Sequence, residues 1–316
     1  MRSDRDFGFT EEQLMLRDAV RQFVRKEMPD SYARKCDREK SAPLDVFDKM
    51  AKLGWIPDGA DLVRNAGEII RDLINRAGGA EVAGAALYRK NDHMRTNAKT
   101  DPYALKVWCW QVLAKANEER PKTNYKRGTV TLDFLKKVAQ LSWSEEGPRL
   151  AKELLAKHGI PLVIVQHLPK TYLDGVALQL GDGLPVIGLT LRYDRIDNFW
   201  FCLLHELAHV GRHMDNDKGN AFVDDLTLRK VEDGREDPRE RQADEWAEEA
   251  LIPEAAWEAS AVKDHPTPMA VMNLANSLGI HPAIVAGRVR YQEQNYRLLS
   301  QFVGTGAVRR QFGIAA

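Results

Sequence analysis

The sequence predicts an α+β chain, mainly helical, with one short β-sheet in its second half. Apolar residues recur at spacings of three and four over most of the 316 residues, the period of helices with one buried face. That period breaks between Gly159 and Leu191, where short β-branched runs sit between turn residues. Helical spacing returns from about Ile196 to the end. Three parts are expected: a helical segment over 1–56, a helical domain over 57–145, and a domain over 146–316 that holds the sheet and the C-terminal helices.

Each element has its own signal. Residues 10–28 carry the stripe Leu16, Ala19, Val20, Phe23 and Val24, with Thr10 as cap and Glu11 and Glu12 in the first turn. A second helix is expected from Leu44 to Lys52, ended by Gly54. Further helices are marked by Val63, Ile69, Ile70, Leu73 and Ile74, by Leu105, Trp108, Cys109, Val112 and Leu113, and by Leu132, Phe134, Leu135 and Val138. The Trp108-Cys109-Trp110 cluster reads as core packing. The run IPLVIVQHL, bracketed by Pro161 and Pro169, reads as a strand. VALQL and VIGLTL flank Gly181-Asp182-Gly183 and read as a β-hairpin.

Composition narrows the function. Lys plus Arg (46) balances Asp plus Glu (46), so no global charge draws the chain to nucleic acid or an anionic membrane. Cys36, Cys109 and Cys202 are odd in number and form no CxxC pair, which excludes a cysteine zinc site and argues for reduced thiols. The opening residues MRSDRDFGFTEEQ lack an apolar signal-peptide core. No apolar run approaches the ~20 residues needed to cross a bilayer. A cytoplasmic location is expected.

The chemistry is concentrated in FWFCLLHELAHV, residues 199–210. On a helix, His205 and His209 lie one turn apart on one face, where both imidazoles reach a single ion. Glu206 stands beside them, placed to act as general base towards water. The surrounding residues are apolar on nearly every side, so this helix should be buried. Burying two histidines and a glutamate there is costly unless a cation compensates. The alternative is a pair of ordinary core histidines bonded to backbone carbonyls.

Three protein ligands are expected at a catalytic zinc. The extended pattern HExxHxxGxxH fails, because Arg212 stands where glycine is needed and Asp215 where histidine is needed. His213 lies one further turn along, too far to share the ion. The third ligand is expected in DPRERQADEWAEEALIP, a helix begun by Asp237 and Pro238 and stopped by Pro253. Glu240, Ala243, Asp244, Ala247 and Leu251 share its inward stripe. Glu240 then reads as the metal ligand, and Asp244 as acceptor for the second ring N–H of a ligand histidine. A capping box from Asp237 to Glu240 is the competing reading.

Two resemblances follow. DFGFTEEQLMLRDAVRQFV, DREK and DKMAKLGWI resemble the first two helices of acyl-CoA dehydrogenases, over residues 6–56. HELAHVGRH and ERQADEWAEEALIP resemble the ImmA/IrrE family of bacterial metallopeptidases, in its larger antitoxin-type members, over about residues 60–316. The second resemblance implies a zincin-like metallopeptidase core, one zinc on His205, His209 and Glu240, and Glu206 as base. It also implies cleavage of a repressor or antitoxin-type protein, in stress response or a toxin–antitoxin setting. Members of this kind commonly carry an N-terminal DNA-binding domain, where this chain has its dehydrogenase-like segment.

The expected activity is zinc-dependent hydrolysis of a peptide bond. Substrate could lie extended along an exposed strand, Val186 to Leu191. His213, Tyr172 and Arg288 are candidates for an oxyanion or substrate contact, and spacing does not choose among them. The rival is a DNA-binding regulator with a silent metal site. VMNLANSLGIHPAIVAGRVR, residues 271–290, has helix-turn-helix spacing, with Arg288 and Arg290 placed to meet phosphate. A helical hairpin closing the domain is the plainer reading of that segment.

Overall fold

A computed structural model of the chain describes residues 21–23, 25–39, 49, 59–83, 94–95, 100–214, 222–224 and 238–314. Most of the helix expected at 10–28, nearly all of that expected at Leu44–Lys52, and Asp215 and Asp237 lie outside these residues. Residues 21–23 and 25–27 are helical. The chain divides into two compact units, residues 1–70 and 71–316. α1 (Asp30–Glu39) belongs to the first, and the division falls within α2 (Gly59–Arg76).

The second unit is built on a five-stranded sheet flanked by helices. In chain order it contains β1 (Met94–Arg95), α3 (Pro102–Glu118), α4 (Leu132–Gln140), α5 (Gly147–Lys157), β2 (Leu162–Ile164), β3 (Gly175–Gln179) and β4 (Pro185–Leu189). Then follow α6 (Ile196–His209), which runs into a π turn (Val210–Met214), β5 (Phe222–Asp224) and α7 (Pro238–Leu251). α8 (Glu254–Glu258), α9 (Pro268–Leu278), α10 (Pro282–Gln292) and α11 (Ala307–Gln311) complete it. The chain is therefore α+β and mainly helical, as its spacing predicts.

The sheet order is β1-β5-β3-β4-β2. β3 and β4 form the expected antiparallel hairpin, with Val176 opposite Gly188 and Gly175 opposite Leu189. β2 pairs with β4 in parallel. β5 pairs antiparallel with β3, and β1 parallel with β5. Sequence reasoning expected only helices after Ile196 and missed β5, whose three residues are too few to show a period of two.

Alternation along the strands divides the core into two layers. Val163, Val176, Leu178 and Val186 face α3, where Leu105, Trp108, Val112 and Leu113 cover them. Leu162, Ile164, Ala177, Ile187 and Leu189 face the other way, into a cluster with α4, α5, α6, α7, α9 and α10. Strands covered on both faces need apolar residues at consecutive positions, and β4 is buried throughout. The Trp108 indole N–H donates to the carbonyls of Val165 and Gln166, both at 3.2 Å. α3 thus shares a core with the sheet.

Burial of β4 corrects one expectation. Val186 to Leu191 cannot receive an extended substrate, because β4 pairs with β2 on one side and β3 on the other. A strand with both edges paired has no free N–H and C=O row to offer.

The approach of α3 to β4 is set by Gly188. A Cβ at that position would stand 2.8 Å from both methyls of Val112. Val112 is β-branched and has little rotamer freedom to move aside. Gly188→Ala should therefore destabilise the chain by about 1–3 kcal/mol in urea denaturation. The same change should cost clearly less in a Val112→Ala background. Equal losses in the two backgrounds would contradict this packing.

Candidate metal centre

α6 is the central helix of the larger core cluster. Phe199, Trp200, Leu203, Leu204, Leu207 and Ala208 are buried on it, as expected for a helix apolar on nearly all sides. Arg195 precedes the first turn and its guanidinium grips Asp197 through two bonds, at 3.0 and 2.7 Å. Further along the same helix, His205, Glu206 and His209 lie in the interior, each no more than 1% exposed.

α7 packs along α6 and supplies the facing side chains. Glu240 is 1% exposed. Its Oε2 lies 3.2 Å from His205 Nε2 and its Oε1 lies 3.5 Å from His209 Nε2. The two Nε2 atoms are themselves 3.0 Å apart. Ligand atoms of His205, His209 and Glu240 all lie within 4.8 Å of one another, so this group could hold a metal ion. Asp244, one turn further along α7, accepts from His205 Nδ1 at 2.9 Å.

Proton placement shows why a cation fits. With its proton on Nδ1, facing Asp244, a neutral His205 offers an unprotonated Nε2 to the interior. Burial would raise the Glu240 carboxyl, but the His209 and His205 rings beside it outweigh that and hold it well below the usual carboxylate range. Burial pushes His209 down towards the neutral form, against the pull of Glu240. Lone pairs of neutral imidazole and of a carboxylate thus converge in a dry space. Glu240 Oε1 accepts no hydrogen bond, although a buried carboxylate oxygen is costly to leave without one. A metal ion held there would satisfy all three groups at once.

The Glu206 side chain lies against β3. β3 passes so close that a Cβ on Gly175 would stand 2.6 Å from Glu206 Oε1. A side chain on residue 175 would displace the Glu206 carboxylate, and sequence reasoning gave this position no role.

His213 has a different place from the one spacing suggested. It is buried, with Nδ1 3.0 Å from His209 Nδ1 and Nε2 3.2 Å from Gln242 Oε1. Both ring nitrogens are turned into the protein, and His213 is not in the ligand group. Gln242 escaped sequence reasoning because a glutamine among many helical polar residues carries no distinctive spacing. Tyr172, 37% exposed, stands on the loop before β3. Arg288 donates to the Ile252 carbonyl at 3.1 Å, pairs with Glu254, and stacks on Trp257. The structure thus gathers His205, Glu206, His209, His213, Glu240 and Asp244, and leaves Tyr172 and Arg288 outside the cluster.

A cavity of about 510 Å³ is lined in part by Asn198, Phe201, Leu251, Ile252, Ile284 and Arg288, and by none of the residues of that cluster. The Phe201 ring, on its wall, lies 6.1 Å from the His205 ring, centre to centre.

The buried histidines make the metal-free chain sensitive to acid. Burial, helped by His209, pushes His213 down to about 4, whereas an unfolded histidine titrates at about 6.5. Between those values the unfolded chain binds a proton that the folded chain refuses, so stability falls as pH falls through that window. Chelator-treated protein should melt at lower temperature at pH 5 than at pH 7, and His213→Phe should reduce the difference. An unchanged difference in the variant would contradict the assignment.

A family model described as Acyl-CoA dehydrogenase, N-terminal domain matches residues 10–58, the stretch in which DFGFTEEQLMLRDAVRQFV and DKMAKLGWI carry that resemblance. No curated protein and no solved structure matches the chain.

Proposed function

We propose that the chain is a zinc-dependent endopeptidase. The observation that carries this reading is the convergence of His205 Nε2, His209 Nε2 and Glu240 in a buried space, with Glu206 adjacent to a ligand on the same helix. Two imidazoles and one carboxylate suit zinc, and three protein ligands leave a tetrahedral position open, as catalytic rather than structural sites do. When bound, zinc supplies Lewis acidity, bringing the pKa of water down to about 7 and polarising a carbonyl. Glu206 takes the proton of the attacking water and returns it to the leaving amine. Asp244 keeps His205 in the tautomer that binds, and the apolar shell of α6 excludes bulk water.

HELAHVGRH and ERQADEWAEEALIP support placing the chain beside the ImmA/IrrE metallopeptidases, and with them a repressor or antitoxin-type substrate. On this reading the cavity behind Phe201 receives a substrate side chain. Its wall joins Phe201, Leu251, Ile252 and Ile284 to the charged Asp197, Glu248 and Arg288, which suits a side chain with an apolar body and a polar end.

The DNA-binding reading has less support. α9 and α10 form a helical pair joined at Gly279, as helix-turn-helix spacing expects. However, Ala283, Ile284, Val285, Ala286 and Val289 of α10 are buried. Arg290 donates to the Tyr296 carbonyl and Arg288 to that of Ile252. A recognition helix needs an exposed face and available arginines, and these observations favour a hairpin that closes the core on α6.

Purified wild-type chain should carry about one zinc, as one three-ligand site requires, and His205→Ala should carry none. Glu240→Ala should bind zinc clearly more weakly. Glu206→Gln should keep its zinc and lose cleavage of a proteome-derived peptide library by at least ~10²-fold, the scale of a lost general base. Undiminished cleavage by Glu206→Gln would contradict the mechanism; absence of zinc after reconstitution would sink the peptidase reading.

A further inference from the structure

The contacts of His209 carry a further inference, which rests on the metal part of the reading above but not on peptide hydrolysis. A neutral histidine binds a cation through one ring nitrogen only when the proton sits on the other, and the partner of that proton decides which nitrogen is which. For His205 the partner is the Asp244 carboxylate at 2.9 Å, which can only accept. For His209 it is another imidazole, at 3.0 Å, and an imidazole can either donate or accept.

The orientation of the Gln242 amide sets the direction of these hydrogen bonds, its oxygen rather than its nitrogen being turned to His213. Its Oε1 lies 3.2 Å from His213 Nε2, and a carbonyl oxygen only accepts, so His213 Nε2 carries the proton. His213 Nδ1 is then an acceptor. The proton between the two Nδ1 atoms therefore belongs to His209, and His209 Nε2 turns its lone pair towards His205 and Glu240. The opposite assignment places a proton on His209 Nε2, 3.0 Å from His205 Nε2, where it would occupy the position of the ion.

We propose that Gln242 and His213 form a relay of fixed tautomers that presents His209 Nε2 to a divalent cation. Both are positioning residues, since neither belongs to the ligand group. Chain geometry builds the relay in two places. The π turn Val210–Met214 follows His209 directly and brings the His213 ring to 5.1 Å from the His209 ring. α7 then carries three polar groups in succession: Glu240 as ligand, Gln242 to fix His209 through His213, and Asp244 to fix His205. One helix sets the tautomers of both histidines of another.

Three variants test it. His213→Phe keeps a ring but removes the acceptor; Gln242→Leu removes the end of the relay; His213→Asn places a carbonyl oxygen near the former Nδ1. Zinc affinity, measured by competition with a chromophoric chelator, should fall about 10–100-fold in His213→Phe and Gln242→Leu, the scale for lost partners of ligand histidines. His213→Asn should stay close to wild type. Equal losses in all three would show that only packing matters and would overturn the proposal, as would unchanged affinity in His213→Phe. Long-range ¹H–¹⁵N spectra of the metal-free wild-type chain should show His209 protonated at Nδ1, and protonation at Nε2 there also overturns it. That spectrum decides the matter even if the wild-type chain takes up no zinc, an outcome that would end the metal reading separately.

Discussion

The convergence of two imidazoles and a carboxylate in a dry space is the constraint around which the described core is arranged. Two imidazole nitrogens stand 3.0 Å apart with a carboxylate at 3.2 and 3.5 Å, and all three residues are at most 1% exposed. Without a cation, such a cluster exposes acceptors to one another and leaves a carboxylate oxygen without a hydrogen bond. The surrounding protein must therefore hold the groups in place by other means. α6 does so by being apolar nearly all round and buried between the sheet and α7. α7 does so by turning a narrow polar stripe inward along an otherwise small-residue face, Ala243 and Ala247 letting the two helices approach closely.

The sheet serves the centre at a distance. β3 and β4 are covered on both faces, which fixes the level at which α6 lies. Gly175 lets β3 pass against the Glu206 carboxylate, so the side chain proposed as base is positioned by strand backbone on one side and by its own helix on the other. α10 closes α6 from the far side, with its apolar residues committed to the core. A segment with helix-turn-helix spacing thus acts as packing, because the same spacing that suits a turn between two helices also suits a hairpin that covers a third.

Much of the centre was legible before any coordinate. His205 and His209 at i and i+4 on an apolar helix, and Glu240 with Asp244 at i and i+4 on the next inward stripe, are patterns tied to helical geometry, and the structure brings all four together. The helical character of α3 and α4 and the β3–β4 hairpin were legible for the same reason, since periodicity survives burial. What was not legible depends on contacts between elements remote in sequence. Val186 to Leu191 read as an exposed strand because its apolar run does not show which neighbours will cover it. His213 read as a candidate oxyanion or substrate contact because the π turn that brings it to His209 leaves no mark in spacing. Gln242 and Gly175 gain their meaning only from partners 29 and 31 residues away, His213 and Glu206. The dehydrogenase-like stretch matched at residues 10–58 is legible as a resemblance.

The central claim is that these three side chains converge on one cation. The most direct measurement is an anomalous difference map at the zinc edge from crystals of zinc-loaded protein. The account predicts a single peak about 2.0–2.1 Å from His205 Nε2 and His209 Nε2 and about 2.0–2.2 Å from a Glu240 oxygen. A peak bonded to His213, to an Nδ1 atom, or at another place in the chain would contradict it.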